Sequence, residues 1–174
     1  IGAEGQLILG AVGGIWAATT FQALPPIVVI LFSLCCGFIV GGFWGFIPGY
    51  LKAKKGLNEI INTILMNYIA VLLVGWLVNG PMKEPPGYNP QTAAVLDVNK
   101  LGILIPRTRA HFGLIIVILI SVSIFYYLFY TASGFKLRAV GLNKDASEDA
   151  GINIFKNTIM SMVISGGIAG IGGA

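Results

Sequence analysis

Long uncharged apolar runs, broken by short polar segments, organise this chain. Leu7 to Phe21 is the first, 15 residues or roughly 22 Å as a helix, and falls short of a hydrocarbon core of about 30 Å. It predicts either a cut span or a half-helix that begins inside the membrane. Ile27 to Ile47 follows with 21 uncharged residues, roughly 31 Å, bounded by Pro25-Pro26 and by Pro48-Gly49. Ile60 to Asn79 and Gly113 to Tyr130 predict two more spans, and Thr158 to Ala174 starts another. The pattern predicts an all-α, polytopic transmembrane helix bundle with three full and two partial spans. A basic loop with Lys52, Lys54 and Lys55, a Pro-rich loop from Gly80 to Phe112 and a polar segment from Thr131 to Asn157 separate the runs.

Composition sharpens this picture. Of the 174 residues 56% are apolar and 10% charged, whereas soluble domains carry about 25% charged residues. So apolar a chain needs lipid around most of its surface, which excludes a water-soluble enzyme domain. The net charge of +4 does not point to nucleic acid, because the basic residues sit in short clusters between apolar runs instead of on one face. They read as topology signals. The Lys52 loop and the Thr131 to Asn157 segment fall on one side with 3 and 4 Lys/Arg, against 4 in the Gly80 to Phe112 loop, Arg107 and Arg109 among them. The positive-inside rule places the first two in the cytoplasm. Cys35 and Cys36 are adjacent in an apolar run and read as small packing residues. The absence of an initiator Met and the apolar GIGGA ending predict one domain over residues 1–174, truncated at both ends.

Several residues are candidates for function. Gly37, Gly41, Gly45 and Gly49 recur every fourth residue, a stripe that suits close helix packing or, alternatively, a surface facing a solute. Glu59, Thr63 and Asn67 share one face of the third run. They either hydrogen-bond between helices or line a polar pathway, with Asn62 beside them. Glu4 and Gln6 lie among glycines just before the short first run. That placement fits a broken helix whose end faces a translocation cavity, or an ordinary loop. In the polar segment, Asn143 is a helix N-cap, Asp145, Glu148 and Asp149 follow, and Gly151 is a C′ stop. Two glycine-punctuated turns are expected around a helix of about seven residues, too short to stand without something to dock against. No phosphate-binding loop, metal cluster, HExxH or GxSxG motif occurs, so catalytic, metal and cofactor roles have no candidate residue, and His111 stands alone.

IGAEGQ at 1–6, GLNEIINTILMNYIA at 56–70, GPMKEPPGYNPQ at 80–91 and GFKLRAVGLNKDASEDAGIN at 134–153 together resemble the permease subunits of bacterial ABC importers of the branched-chain amino acid and simple-sugar superfamily, most of all the nucleoside permeases. The resemblance implies a transport subunit of the inner membrane, not an enzyme. Its implied partners are a second permease, ATP-binding subunits that hold ATP and Mg, and an extracytoplasmic solute-binding protein. It also implies that Gly134, Arg138, Ala139, Gly141, Asn143, Ala146 and Gly151 belong to a cytoplasmic coupling loop. Lys144 departs from that pattern, where relatives often carry Pro, and Ser147 stands where Ala is common. The half-helix reading of IGAEGQ and the pathway reading of Asn67 gain support from it, and Glu4, Gln6 and Thr63 stand beside Asn67 as candidates for the solute path. The rival reading is a secondary transporter or channel for small polar solutes, for which only Glu4 and Glu59 could form a titratable relay.

Overall fold

A computed structural model describes residues 2–84, 89–103 and 111–174; Arg107 and Arg109 of the charge count, Ile1 of IGAEGQ and residues 85–88 of the Pro-rich motif lie outside them. The chain folds as α1 (Glu4–Thr20), α2 (Pro26–Lys55), α3 (Glu59–Asn79), a 3-10 turn (Asp97–Asn99), α4 (Gly113–Tyr130), α5 (Ala132–Leu142), α6 (Lys144–Asp149) and α7 (Ile154–Gly173). Among the described residues, α2, α3, α4 and α7 are long and apolar enough to cross a membrane. Residues 2–84, 89–103 and 111–174 form no β-strand, apart from an isolated bridge between Ile103 and His111.

Three helix boundaries differ from those the apolar runs predict. α2 continues through Pro48-Gly49 to Lys55 and is 30 residues long, roughly 45 Å. Pro48 removes one internal hydrogen bond, which leaves the Trp44 carbonyl without its helical donor. Neighbouring helices let membrane helices tolerate this, and Pro48 is fully buried. The true stop is Gly56 at φ 65, whose amide donates to the Lys52 carbonyl at 3.0 Å. α7 starts one turn before its apolar run, because Asn153 Oδ1 caps the Lys156 amide at 2.8 Å. It is therefore 20 residues long and sufficient to cross, where the run alone predicts a partial span.

The third difference is α5. GFKLRAVG was expected to hold the glycine-punctuated turn that precedes the short helix, yet Ala132–Leu142 is a helix of 11 residues. Thr131 caps it by accepting from the Gly134 amide at 3.0 Å. Gly134 is there for proximity: a Cβ at this position would collide with the Tyr127 carbonyl and with Leu128 Cα at 2.6 Å, so only glycine lets α5 fold back on the end of α4.

The core is the junction of α1, α2 and α7. A Cβ on Gly41 would strike the Gly166 carbonyl and come within 2.7 Å of Gly170 Cα, and one on Gly45 would lie 2.5 Å from the Met162 carbonyl. A Cβ on Gly49 would lie 2.9 Å from Met162 Cβ, and one on Gly37 would lie 2.8 Å from the Gly170 carbonyl. From α1, Gly10 abuts Gly170. Backbones therefore touch with no side chain between them, the geometry in which small residues provide packing in lipid. α3 joins through α1 and α4 through α5, and no residue of α4 is buried.

Candidate functional site

α1 and α3 meet at a depth that matters. α3 begins at Glu59, whose carboxylate pairs with Lys52 of α2 at 2.6 Å, both groups partly exposed. Thr63 lies one turn further in and Asn67 two turns, roughly 6 and 12 Å along the axis. The start of α1 abuts both. Thr63 Oγ1 accepts from the Gly2 amide at 3.2 Å, and Asn67 Oδ1 accepts from the Gly5 amide at 2.8 Å. α1 thus starts partway along α3, beyond its charged end, and runs 17 residues toward the end of the bundle where α2 begins at Pro26; there Phe21 packs edge-on against Phe32.

The residues at the start of α1 explain how it can begin there. The first amides of a helix have no internal partners, and Ala3 at the cap position offers no side-chain acceptor. Thr63 and Asn67 of α3 supply them. Thr63 is only 1% exposed, and its hydroxyl also donates to the Glu59 carbonyl at 2.8 Å, which fixes its orientation. Gly2 and Gly5 allow the approach: a Cβ on Gly5 would lie 2.9 Å from Asn67 Oδ1, and one on Gly2 would lie 2.5 Å from Asn67 Nδ2.

Of the four residues the sequence proposes for a solute path, the structure gathers all four at the start of α1, in different roles. Thr63 and Asn67 tether the half-helix, Gln6 is buried at 5% exposure, and Glu4 is exposed. Glu59 is not with them, since it sits at the α3 start on Lys52. Sequence reasoning missed Trp44. Its indole NH is buried without a hydrogen-bond partner among the described residues, and a Cβ on Gly5 would lie 3.0 Å from it. The signal was a Trp in the middle of a span, away from the interfaces where Trp concentrates. Asn62 Nδ2 is a second buried donor without a partner. The Trp44 donor thus places an unpartnered polar group beside the start of α1 inside an apolar bundle.

The polar segment ends in a compact capped turn. Asn143 Oδ1 accepts from the Ala146 amide at 3.1 Å and starts α6, six residues long. Gly151 at φ 74 ends it: its amide donates to the Glu148 carbonyl at 2.8 Å and that of Ile152 to the Ser147 carbonyl at 2.9 Å, a paired closure that requires the left-handed backbone. Ser147 faces inward, donating to the Asn143 carbonyl at 2.7 Å, while Ala146 is exposed. The Arg138 guanidinium lies over the Phe129 ring at 4.6 Å, Ala139 is half-exposed, and a Cβ on Gly141 would meet nothing within 4 Å.

Residues 1–174 match the family described as branched-chain amino acid transport system / permease component. The chain belongs to this permease family. It is 36% identical to the guanosine ABC transporter permease protein NupP of Bacillus subtilis (strain 168), with 100% of the chain covering 50% of that protein. Against the nucleoside ABC transporter permease protein NupB of Lactococcus lactis subsp. cremoris the identity is 34%, over 99% of the chain and 50% of the relative. The glucose ABC transporter permease protein TsgB13 of Haloferax volcanii is 32% identical, over 99% of the chain and 48% of its own length. The permease chain therefore spans about half the length of these curated relatives. No solved structure matches. With four apolar spans among the described residues, this permease-family chain is a multi-pass protein of the bacterial plasma membrane.

Proposed function

We propose that this chain forms part of the translocation path in the permease subunit of an ATP-driven importer for nucleosides or related sugars. The observation that carries the proposal is the half-helix α1, whose amides are held by Thr63 and Asn67 away from the charged end of α3. Broken helices place backbone dipoles beside a polar solute in many membrane transporters. Gln6, the Trp44 indole and the exposed Glu4 carboxylate are the groups beside that helix start through which a solute would pass. Relatives named for guanosine, nucleoside and glucose transport support solutes of that kind.

ATP and Mg belong to separate ATP-binding subunits in this reading, and an extracytoplasmic binding protein and a second permease complete the assembly. The end carrying Lys52, Lys54 and Lys55 faces the cytoplasm, with α6 beside it, so the exposed Ala146 face is offered to an ATP-binding partner. Arg138, Ala139 and Gly141 of α5, beyond the close contact of Gly134 with α4, carry its displacement toward α4 and α7, a rigid-body route to alternating access. The test is uptake of labelled guanosine and glucose by liposomes holding the full-length permease with its ATP-binding and solute-binding partners. Import that needs ATP and ignores proton and sodium ionophores is the expected result. Import driven by an ion gradient without ATP refutes the proposal in favour of a secondary transporter.

A further inference from the structure

At the opposite end of the bundle from Lys52, α1, α2, α4 and the end of α7 border a half-open cavity of 710 Å³ beside the 3-10 turn at Asp97–Asn99. That volume lies within the range of about 300 to 1,000 Å³ typical of small-molecule sites. Its wall is largely aliphatic, with Ile30, Leu34, Val117 and Ile171 among the lining residues. Of the four polar side chains in that wall, Lys100 and His111 are exposed and two are buried. Ser33 is 8% exposed and Asn99 6%, and Ser33 Oγ, Asn99 Oδ1 and Asn99 Nδ2 all lack a hydrogen-bond partner among the described residues.

Neither side chain behaves as its surroundings would dictate. A serine in a membrane helix ordinarily satisfies itself on the carbonyl four residues back, as Ser121 does on Val117 and Ser123 on Leu119, each at 2.8 Å. Ser33 makes no such bond. Asn99 is fixed by its backbone, its amide donating to the Leu96 carbonyl at 2.9 Å, while its side-chain amide is left without partners. Buried polar groups are seldom left so, and each calls for a ligand or water.

We propose that this cavity is a second solute station of the permease, built for an uncharged ring bearing adjacent hydroxyls. The Asn99 amide presents a donor and an acceptor side by side, which matches two neighbouring hydroxyls, and Ser33 can donate or accept with a third. The aliphatic wall receives the apolar ring face. A charged ligand is disfavoured, because the Lys100 ammonium at the rim is already paired with Asp97 at 2.7 Å. The same pairing holds the Asp97 carboxyl below its ordinary range, so the pair persists at neutral pH. Ser33 lies 11 residues before Trp44 in α2, roughly 16 Å along the axis, so this station is separate from the half-helix site. The proposal rests on the importer reading and adds an entry station to it. The ribose of a nucleoside and a free hexose share the recognised chemistry.

The test uses the full-length permease in its reconstituted complex, with Cys35 and Cys36 replaced by alanine. Ser33→Cys and Asn99→Cys are introduced separately, so that one misfolded variant leaves the other, and each is labelled with an impermeant maleimide. Val98→Cys, exposed on the same 3-10 turn, is the control for a general closure of the loop. Guanosine or glucose at ten times its Kd slows labelling at Ser33→Cys and Asn99→Cys about tenfold and leaves Val98→Cys unchanged. Protection by guanosine alone assigns the station to nucleosides, and by glucose alone to free sugars. A complex that imports either solute yet shows no protection at either cysteine, or equal protection at Val98→Cys, overturns the station and leaves the importer reading intact. Protection without ATP-driven import does the reverse.

Discussion

Asn67→Leu should release the half-helix. In the native chain the Gly5 amide is buried and donates to Asn67 Oδ1 at 2.8 Å, and leucine removes that acceptor without removing the burial. Thr63 does not take over, because it sits one helical turn from Asn67, beside the Gly2 amide and not the Gly5 amide. Polar side-chain pairs between membrane helices average only about 0.6 kcal/mol, since both partners find substitutes in lipid. A buried amide left without any acceptor costs about 1 to 3 kcal/mol, and that larger figure applies here because one partner persists in place. An aspartate at the same position keeps an acceptor in either protonation state, and its negative charge is favourable at a helix N-terminus. In the full-length permease in detergent, Asn67→Leu therefore lowers the unfolding temperature and speeds thiol labelling of Ala3→Cys by about 5-fold or more, while Asn67→Asp does neither. An Asn67→Leu protein with native unfolding and native Ala3→Cys labelling would refute the tether.

Other expectations are briefer. Gly41→Leu forces a side chain into the Gly166 carbonyl and costs about 1 to 3 kcal/mol, whereas Ile39→Leu, on the exposed face of the same helix, stays within about 0.5 kcal/mol; comparative detergent stability measures both. Gly151→Ala meets no atom within 4 Å, so its cost of about 1 kcal/mol comes from the left-handed backbone alone, and Gly151→Asn should recover part of it in the same assay. Gly141→Ala also meets nothing and lies inside a helix, so it stabilises α5 by about 0.5 to 1 kcal/mol; a stabilised variant with reduced ATP-driven uptake would mean that the missing side chain serves a partner. Ala146→Trp projects from the exposed face of α6, so it should leave the permease folded and abolish stimulation of ATP hydrolysis by the solute-binding protein in the reconstituted complex.

What the sequence disclosed and what it withheld follow from how far each signal reaches along the chain. The α2 stripe was legible because four glycines at a spacing of four can only line one helix face, and the contacts with Gly166 and Met162 occupy that face. The shortness of α1 was legible because its apolar run is shorter than a span. Pro48 misled because proline is a stop signal in water, while a membrane bundle supplies neighbours around the break. Gly134 and Gly141 misled differently: a glycine announces only that a side chain is missing, and the reason can be a turn, a close approach or an outside partner. Here Gly134 is a close approach, Gly151 a turn, and Gly141 has no internal reason at all.

Trp44, Ser33 and Asn99 were illegible for a stronger reason. Each looks ordinary in its own segment, a Trp in an apolar helix, a Ser in the same helix and an Asn in a loop. Their chemistry arises from what the fold withholds from them. Trp44 comes to lie against Gly5 of a helix 39 positions earlier, and Ser33 lines the same cavity as Asn99, 66 positions later. Thr63 and Asn67 are the opposite case, since the fold uses their hydrogen bonds to hold α1. A polar stripe read from spacing is thus ambiguous between structure and transport, and partner counting resolves it. Groups bonded to the first amides of α1 hold its start in place, while polar groups left unsatisfied in buried positions call for a ligand or water. By that criterion Trp44 beside the start of α1, Asn62 on α3, and Ser33 with Asn99 at the far end are the groups the proposed path would use.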